Sequence, residues 1–246
     1  MMATAIAGRR ILVTRATDDA ERWADRLRRL GAQPVMLPCL EIVTIASQGV
    51  ATGLRAALAQ ATWLVLSARR GVEAVARLAG PDLPDGVRVA VVGPSTARAA
   101  ADLLGRVDLI ATESSARGLA QALLARLDAR DRVEAHVLVA GAANGRTDVE
   151  QALAAAGIRV MRVDLYATIP AAPVSRKLDL ADAGIDAVLL ASPTAAEGLV
   201  NRAIVGPDVE VITIGPTTSA AAAAVGLTVR AEARRPDLAG MLEAMP

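Results

Sequence analysis

Twice along this chain a short apolar strand runs into a Gly-Pro break and restarts as an alanine-rich helix. Val87 to Ala101 reads VRVAVVGPSTARAAA, and Val209 to Val225 reads VEVITIGPTTSAAAAAV. Gly93 and Thr96 stand 122 residues before Gly215 and Thr218. Proline suits a turn or the first helical position, where its missing N–H is harmless, and Thr217 and Thr218 are expected to cap the open amides behind it. A strand feeding such a helix start leaves backbone N–H groups pointing outward, which suits an anion.

The repetition extends beyond these two stretches. Ile11 to Thr14 reads as a strand, Thr17-Asp18-Asp19 as a helix start, and Ala20, Trp23, Ala24, Leu27 and Leu30 as one helix face. Gly31 ends that helix and Pro34 to Leu37 is a second strand, so the unit is βαβ and implies a parallel sheet. The programme restarts at Val137 to Val139, with a polar turn at Asn144 to Thr147 and a helix from Asp148 to Ala156. Gly157 ends this helix 126 residues after Gly31, and a strand follows over Arg159 to Val163. Trp63 to Leu66 with its Ser67-Ala68-Arg69-Arg70-Gly71 turn is matched by Val188 to Leu190 with Ala191-Ser192-Pro193-Thr194. Gly118, behind the helix start at Glu113-Ser114-Ser115, stands 122 residues before Gly240. Further strands are expected over Val87 to Val92 and Val107 to Ala111. PCLEIVTI from Pro38 and DLYATIP from Asp164 read as extended stretches. The ordered offsets predict an α/β protein made by internal duplication: two parallel-sheet domains with about five strands per half, facing a cleft. In open parallel sheets a ligand sits beyond the carboxyl ends of the strands.

Composition narrows the chemistry. The chain is 53% hydrophobic and 22% charged, which excludes a disordered protein. A net charge of +1 and only three aromatic residues argue against a nucleic-acid surface. One cysteine, Cys39, forbids an internal disulfide, and one histidine, His136, leaves no recognisable metal spacing. There is no GxGxxG, P-loop or nucleophile elbow. The start of the chain does not read as a signal peptide, and no segment reaches the ~18 apolar residues of a membrane span. The expectation is a soluble, cytoplasmic α/β protein without cofactor or metal.

What the chain offers instead is hydroxyls and amides at helix starts: Ser67, Ser95, Thr96, Ser115, Ser192, Thr194, Thr217 and Thr218, with Gly93 and Gly215 at two of the breaks. Each reads singly as a helix cap; together they suit a large polycarboxylate held by many contacts. Arg15, Arg70 and Arg146 lie at strand-end turns, as carboxylate ligands or as solvated surface. Tyr166, the only tyrosine, has Leu40 as its counterpart at the 126 offset. It reads either as a half-buried strand residue or as a proton donor to substrate. Trp23 and Cys39 read as core, and His136 as a strand start.

On these motifs the chain resembles the uroporphyrinogen-III synthase family over nearly its whole length. The resemblance is carried by ILVTR, LGAQPVMLPCLEI, WLVLSARRGVEAV, VAVVGPSTARAA, AAAGIRVMRVDLYATIP, DAVLLASPTAAEGLV and ITIGPTTSAAAAAVGL, in this order. It implies two α/β domains, residues 1–38 with 171–246 and residues 39–170, joined by PCLEIV and DLYATIP as a two-stranded linker. It implies a monomeric, cofactor-free lyase that closes hydroxymethylbilane to uroporphyrinogen III with loss of water and inversion of the last ring, with transient contact to hydroxymethylbilane synthase. It makes Tyr166 the catalytic candidate. Ser67, Thr96, Ser192 and Thr218 take the family's cleft-facing positions, with Thr217 beside them. Ala140-Gly141 stands where many members carry Arg-Gly, with Arg146 nearby to compensate. A non-catalytic homologue that binds a tetrapyrrole or another polyanion is the alternative.

Overall fold

The structure, a computed structural model, describes residues 6–111, 113 and 115–246. The side chains of Thr17, Asp18 and Asp19 and all of Ser114, read above as helix starts, lie outside the described residues. The chain opens with β1 (Arg10–Val13), α1 (Thr17–Arg29), β2 (Gln33–Met36), β3 (Leu40–Thr44), α2 (Gln48–Gln60), β4 (Trp63–Leu66) and α3 (Arg69–Ala79). It continues through β5 (Arg88–Val91), α4 (Pro94–Leu104), β6 (Leu109–Ile110), α5 (Ala116–Arg126), α6 (Ala129–Glu134), β7 (His136–Ala142), α7 (Asp148–Ala155) and β8 (Arg159–Pro170). It closes with β9 (Leu178–Asp179), β10 (Ala187–Leu190), α8 (Pro193–Arg202), β11 (Ala203–Ile204), β12 (Glu210–Thr213), α9 (Pro216–Ala224), β13 (Val229–Glu232) and α10 (Leu238–Ala244).

These elements form two compact units: Met1–Ile42 with Thr168–Pro246 (unit 1), and Val43–Ala167 (unit 2). The chain passes from one to the other inside β3 and returns inside β8. Those two strands are hydrogen-bonded neighbours. Ala171 N–H donates to the Cys39 carbonyl at 3.0 Å and Ile45 N–H to the Leu165 carbonyl at 2.9 Å, an antiparallel progression.

In unit 1 the order is β13-β12-β10-β1-β2, and the neighbouring strands run parallel throughout. Strands covered on both faces need unbroken apolar runs. AVLL of β10 and ILV of β1 are such runs, and all of these residues are buried. Ile11, Val13, Leu189 and Ile212 pack with Leu27 of α1 and Met241 of α10, whereas Leu12, Val188, Leu190 and Val211 pack with Leu199 of α8 and Ala222 of α9.

Unit 2 carries the order β3-β8-β7-β4-β5-β6. Trp63, Val65, Val137 and Val139 pack with Leu119 and Leu123 of α5 and Leu153 of α7. Leu64 and Leu66 alternate to the other face, where Gly71 of α3 lies against Leu66. Pairing the landmarks by their sequence offsets sets β13-β12-β10-β1-β2 beside β6-β5-β4-β7-β8, the same strand order in both units. Each sheet therefore draws strands from both halves of the chain.

Several expectations shift. The strand expected over Arg159 to Val163 and the extended stretch behind it are one strand of 12 residues, because the ladder to β7 continues as far as Tyr166. Val107 to Ala111 contracts to two residues in β6. Helix α6 and the small parallel pair β9–β11 add to the elements expected from periodicity. The Gly118 and Gly240 landmarks have a common cause. Ser115 Oγ accepts from Gly118 N–H at 2.9 Å, and Asp237 Oδ1 from Gly240 N–H at 2.6 Å. A Cβ at either glycine would stand 2.5 or 2.3 Å from the carbonyl oxygen of Glu113 or Arg235.

Helix α8 presses on the point where both connections leave unit 1. Arg202 donates to the Pro38 carbonyl at 3.2 Å and to Glu41 at 3.3 Å, and Asn201 Nδ2 to the Ala171 carbonyl at 2.9 Å. A Cβ on Gly198 would lie 1.6 Å from the Cys39 carbonyl oxygen, which is backbone and cannot swing aside. Alanine is ordinarily the better helix residue by about 1 kcal/mol. Gly198→Ala should nevertheless destabilise the fold by about 3 kcal/mol, read as a lower urea midpoint; an unchanged or raised midpoint would contradict this packing.

Candidate functional site

In a parallel sheet the crossover direction decides where a crevice opens. In unit 1, β1 leads through α1 to β2 on one side, while β10 leads through α8 to β12 on the other, over the opposite face. The carboxyl ends of β1 and β10 therefore part, and ligands favour this kind of place. The same divergence occurs in unit 2 between β7, which leads to β8, and β4, which leads to β5.

The unit 1 switch point brings Arg15 and Ser192 to neighbouring strand ends. Beneath them the buried Thr14 hydroxyl donates to the Leu189 carbonyl at 2.7 Å and ties the two strands together. The Arg15 guanidinium lies 4.8 Å from the Trp23 ring centroid, and that ring is only partly buried at the core edge. Ser192 caps α8, accepting from Ala195 N–H at 3.2 Å. One strand further on, Gly215 is the N-cap of α9 and no side chain caps the helix. The capping expected of Thr217 and Thr218 is thus corrected. With Pro216 at the first helical position, both threonines are already inside the helix, and a cap must come from the residue before it. Thr217 is exposed and Thr218 is buried. The hydroxyl that organises this corner is Ser219, which bonds Thr213 Oγ1 at 2.7 Å and donates to Glu232.

In unit 2, Ser67 is exposed at the end of β4, but the residue before α3 is Ala68 and it makes no side-chain cap. Gly93 precedes α4 just as Gly215 precedes α9, again without a side-chain cap, and Thr96 is buried while Ser95 is exposed. Arg146 is exposed and pairs with Asp148 at 2.6 Å. With Ser115, Arg117 and Gln151 it borders a surface pocket of about 690 Å³ between the starts of α5 and α7. A second pocket, of about 480 Å³, lies among the loops preceding β12 and β13, at the amino edge of the unit 1 sheet, and contains none of the expected site residues.

Tyr166 sits beside the unit 2 switch point because of a register fault. Gly141 pairs with Asp164 but Ala142 pairs with Tyr166, so Leu165 is an extra residue on β8. Such a bulge bends its strand and re-aims the side chain behind it. Leu165 and Tyr166 are accordingly buried in succession, at 0% and 7% exposure, where strict alternation would expose one. Ala143 N–H donates to the Tyr166 carbonyl at 2.7 Å and anchors the turn after β7 to this residue. Burial raises the phenol above its ordinary 10.0; the positive charge of Arg70 opposes the rise and Glu73 adds to it.

The sequence profile described as "Uroporphyrinogen-III synthase HemD" matches residues 21–243. The chain belongs to the uroporphyrinogen-III synthase family. It is 33% identical over 171 residues to the uroporphyrinogen-III synthase of Synechococcus elongatus, covering 65% of this chain and 61% of that protein. It is 26% identical over 172 residues to the porphyrin biosynthesis protein HemD of Ruminiclostridium josui, covering 68% of this chain and 33% of that one. The match thus spans less than two thirds of either relative. In fold, the chain is similar to the uroporphyrinogen-III synthetase of Helicobacter pylori (TM-score 0.62, 14% identity, 96% and 97% of the two chains). It is also similar to a mutant uroporphyrinogen III synthase from Thermus thermophilus (TM-score 0.56, 16% identity, 96% of each chain). As in other members of the uroporphyrinogen-III synthase fold, the sheets are mostly parallel and flanked by helices. No helix among the described residues is long and apolar enough to cross a membrane.

Glu232, Ser219 and the Leu165 bulge escape sequence reasoning. A serine or glutamate there has no spacing to mark it, and a bulge exists only relative to the partner strand. Because Tyr166 is the sole tyrosine, its ionisation can be followed directly at the tyrosinate absorbance. The midpoint in the folded protein should lie above 10.0 and return to the ordinary value in denaturant. The folded state holds this proton more tightly than the unfolded one, so this group's contribution to stability is complete below pH 10 and declines as pH rises beyond it. A folded midpoint at or below 10.0 would contradict the burial of this phenol.

Proposed function

We propose that this protein is a uroporphyrinogen-III synthase that closes hydroxymethylbilane to uroporphyrinogen III with loss of water and inversion of the last pyrrole ring. The observation that carries the reading is Tyr166, a buried phenol set by a bulge of β8 beside the end of β7, in a chain that belongs to this family. The substrate's own pyrrole electrons expel the protonated hydroxyl as water and leave an azafulvenium cation. The protein has to deliver a proton to the departing oxygen, hold the chain curled and shield the cation. A neutral phenol suits the first task as a general acid, and the field of Arg70 favours the phenolate left behind. The hydroxyl- and amide-bearing corners at Ser67, Gly93, Thr96, Ser192, Gly215, Thr217 and Thr218, with Arg15 and Arg146, are the groups we assign to the substrate carboxylates. A cytoplasmic monomer needing no cofactor, in transient contact with hydroxymethylbilane synthase, completes the proposal. The domain limits implied by the family resemblance, 1–38 with 171–246 and 39–170, and the linker role of β3 and β8 belong to it as well.

Given hydroxymethylbilane, the protein should shift the product from the type I isomer of spontaneous closure to type III, resolved by chromatography. Only type I isomer would reject the assignment. Tyr166→Phe should lower turnover by roughly 10- to 1000-fold with little change in KM. Full activity in that variant would make the phenol structural.

A further inference from the structure

Three acceptors from three places meet at one guanidinium in unit 2. Arg162, on β8 four residues before Tyr166, is only 25% exposed. It donates through Nε to Asp164 at 2.8 Å on its own strand, through Nη1 to Glu150 on α7, and through Nη2 to the Ala142 carbonyl at the end of β7. Glu150 is itself 15% exposed, so the pair is largely withdrawn from water. A planar fork of fixed donors is suited to holding three separate acceptors in one geometry.

The choice of carbonyl is the informative part. Ala142 is the residue that stands opposite Tyr166 after the register shift, and Ala143, next in the chain, donates its N–H to the Tyr166 carbonyl. The bulge is thus closed on one side by Arg162 and on the other by that 2.7 Å bond, with the Leu165 carbonyl accepting from Ile45 on the outer edge. We infer that Arg162 is a positioning residue for Tyr166: by fixing Ala142 it holds the bulge that turns the phenol toward the crevice beside β7 and β4.

This inference rests on the reading of Tyr166 as proton donor only for its effect on turnover; its effect on the phenol itself is independent of that reading. The tyrosinate titration of the intact protein is therefore measured beside the isomer assay for Arg162→Gln. The midpoint of Tyr166 should move back toward 10.0, because a relaxed bulge exposes the ring. Turnover should fall roughly 10- to 100-fold, the scale of a misplaced catalytic group, with KM changed less than about twofold. In a Tyr166→Phe background the Arg162→Gln change should cost no further turnover. Should Arg162→Gln fail to fold, Glu150→Gln/Arg162→Gln removes the stranded carboxylate and carries the same measurements. An unmoved midpoint in a folded variant, or an undiminished loss of turnover in the Tyr166→Phe background, would overturn the inference. If Tyr166→Phe proves fully active, the function assigned to the phenol falls, while a shifted midpoint in Arg162→Gln still upholds the positioning.

Discussion

The parallel pairing of β4 with β7, and of β1 with β10, is what the rest of the molecule depends on. Trp63 stands opposite Val137 and Ile11 opposite Ala187, and in each case the partners come from distant parts of the chain. Parallel strands buried on both faces need continuous apolar runs and long crossovers, which the chain supplies as WLVL, HVLVAGA and AVLL with helices between. Because the helices that follow these paired strands leave over opposite faces, the carboxyl ends at the centre of each sheet stay uncovered. Arg15 and Ser192 follow the paired strands of one sheet, and Ser67 follows β4 of the other.

Each corner at these edges is finished by a different device. Ser192, Ser115 and Asp237 supply side-chain oxygens to the first turn of the helix they precede. Gly93 and Gly215 supply none, so the starts of α4 and α9 have no side-chain acceptor of their own. The backbone there is extended, with φ of 166° and 164°, and imposes no need for glycine by itself. Proline at the first helical position removes one N–H from each of these starts, and at α9 the Thr218 N–H donates to the Gly215 carbonyl at 3.0 Å.

The buried ionisable groups divide into those the fold neutralises and those it pairs. Cys39 is fully buried, donates to the Leu37 carbonyl at 3.1 Å, and is pushed up to about 12 by burial, with Arg202 pulling back. It behaves as packing beneath the connections. Arg162 shows the other solution. Burial works against its charge, but hydrogen bonds to Asp164 and Glu150 outweigh that and hold it firmly protonated. Tyr166 stands between these cases, its phenol pushed up by burial while Arg70 opposes the rise and Glu73 adds to it.

The sequence by itself determined the α/β class and most of the elements in their order, because strand and helix periodicity and Gly-Pro breaks are local properties. It also determined which strand ends carry hydroxyls, and it marked Tyr166 by breaking the repeat at Leu40. Reading caps at Thr217 and Thr218 went astray, although Pro216 at the first helical position already implies Gly215 before it. That each sheet mixes both halves was implied only by the family resemblance, and only the tertiary structure decided which strands pair and in what register, since partners are chosen by burial across long separations. It alone decided the extra Leu165 and the reach of Arg162 to Ala142: a register shift, and a guanidinium shared between two carboxylates and a carbonyl, exist only between elements, and no single strand encodes them.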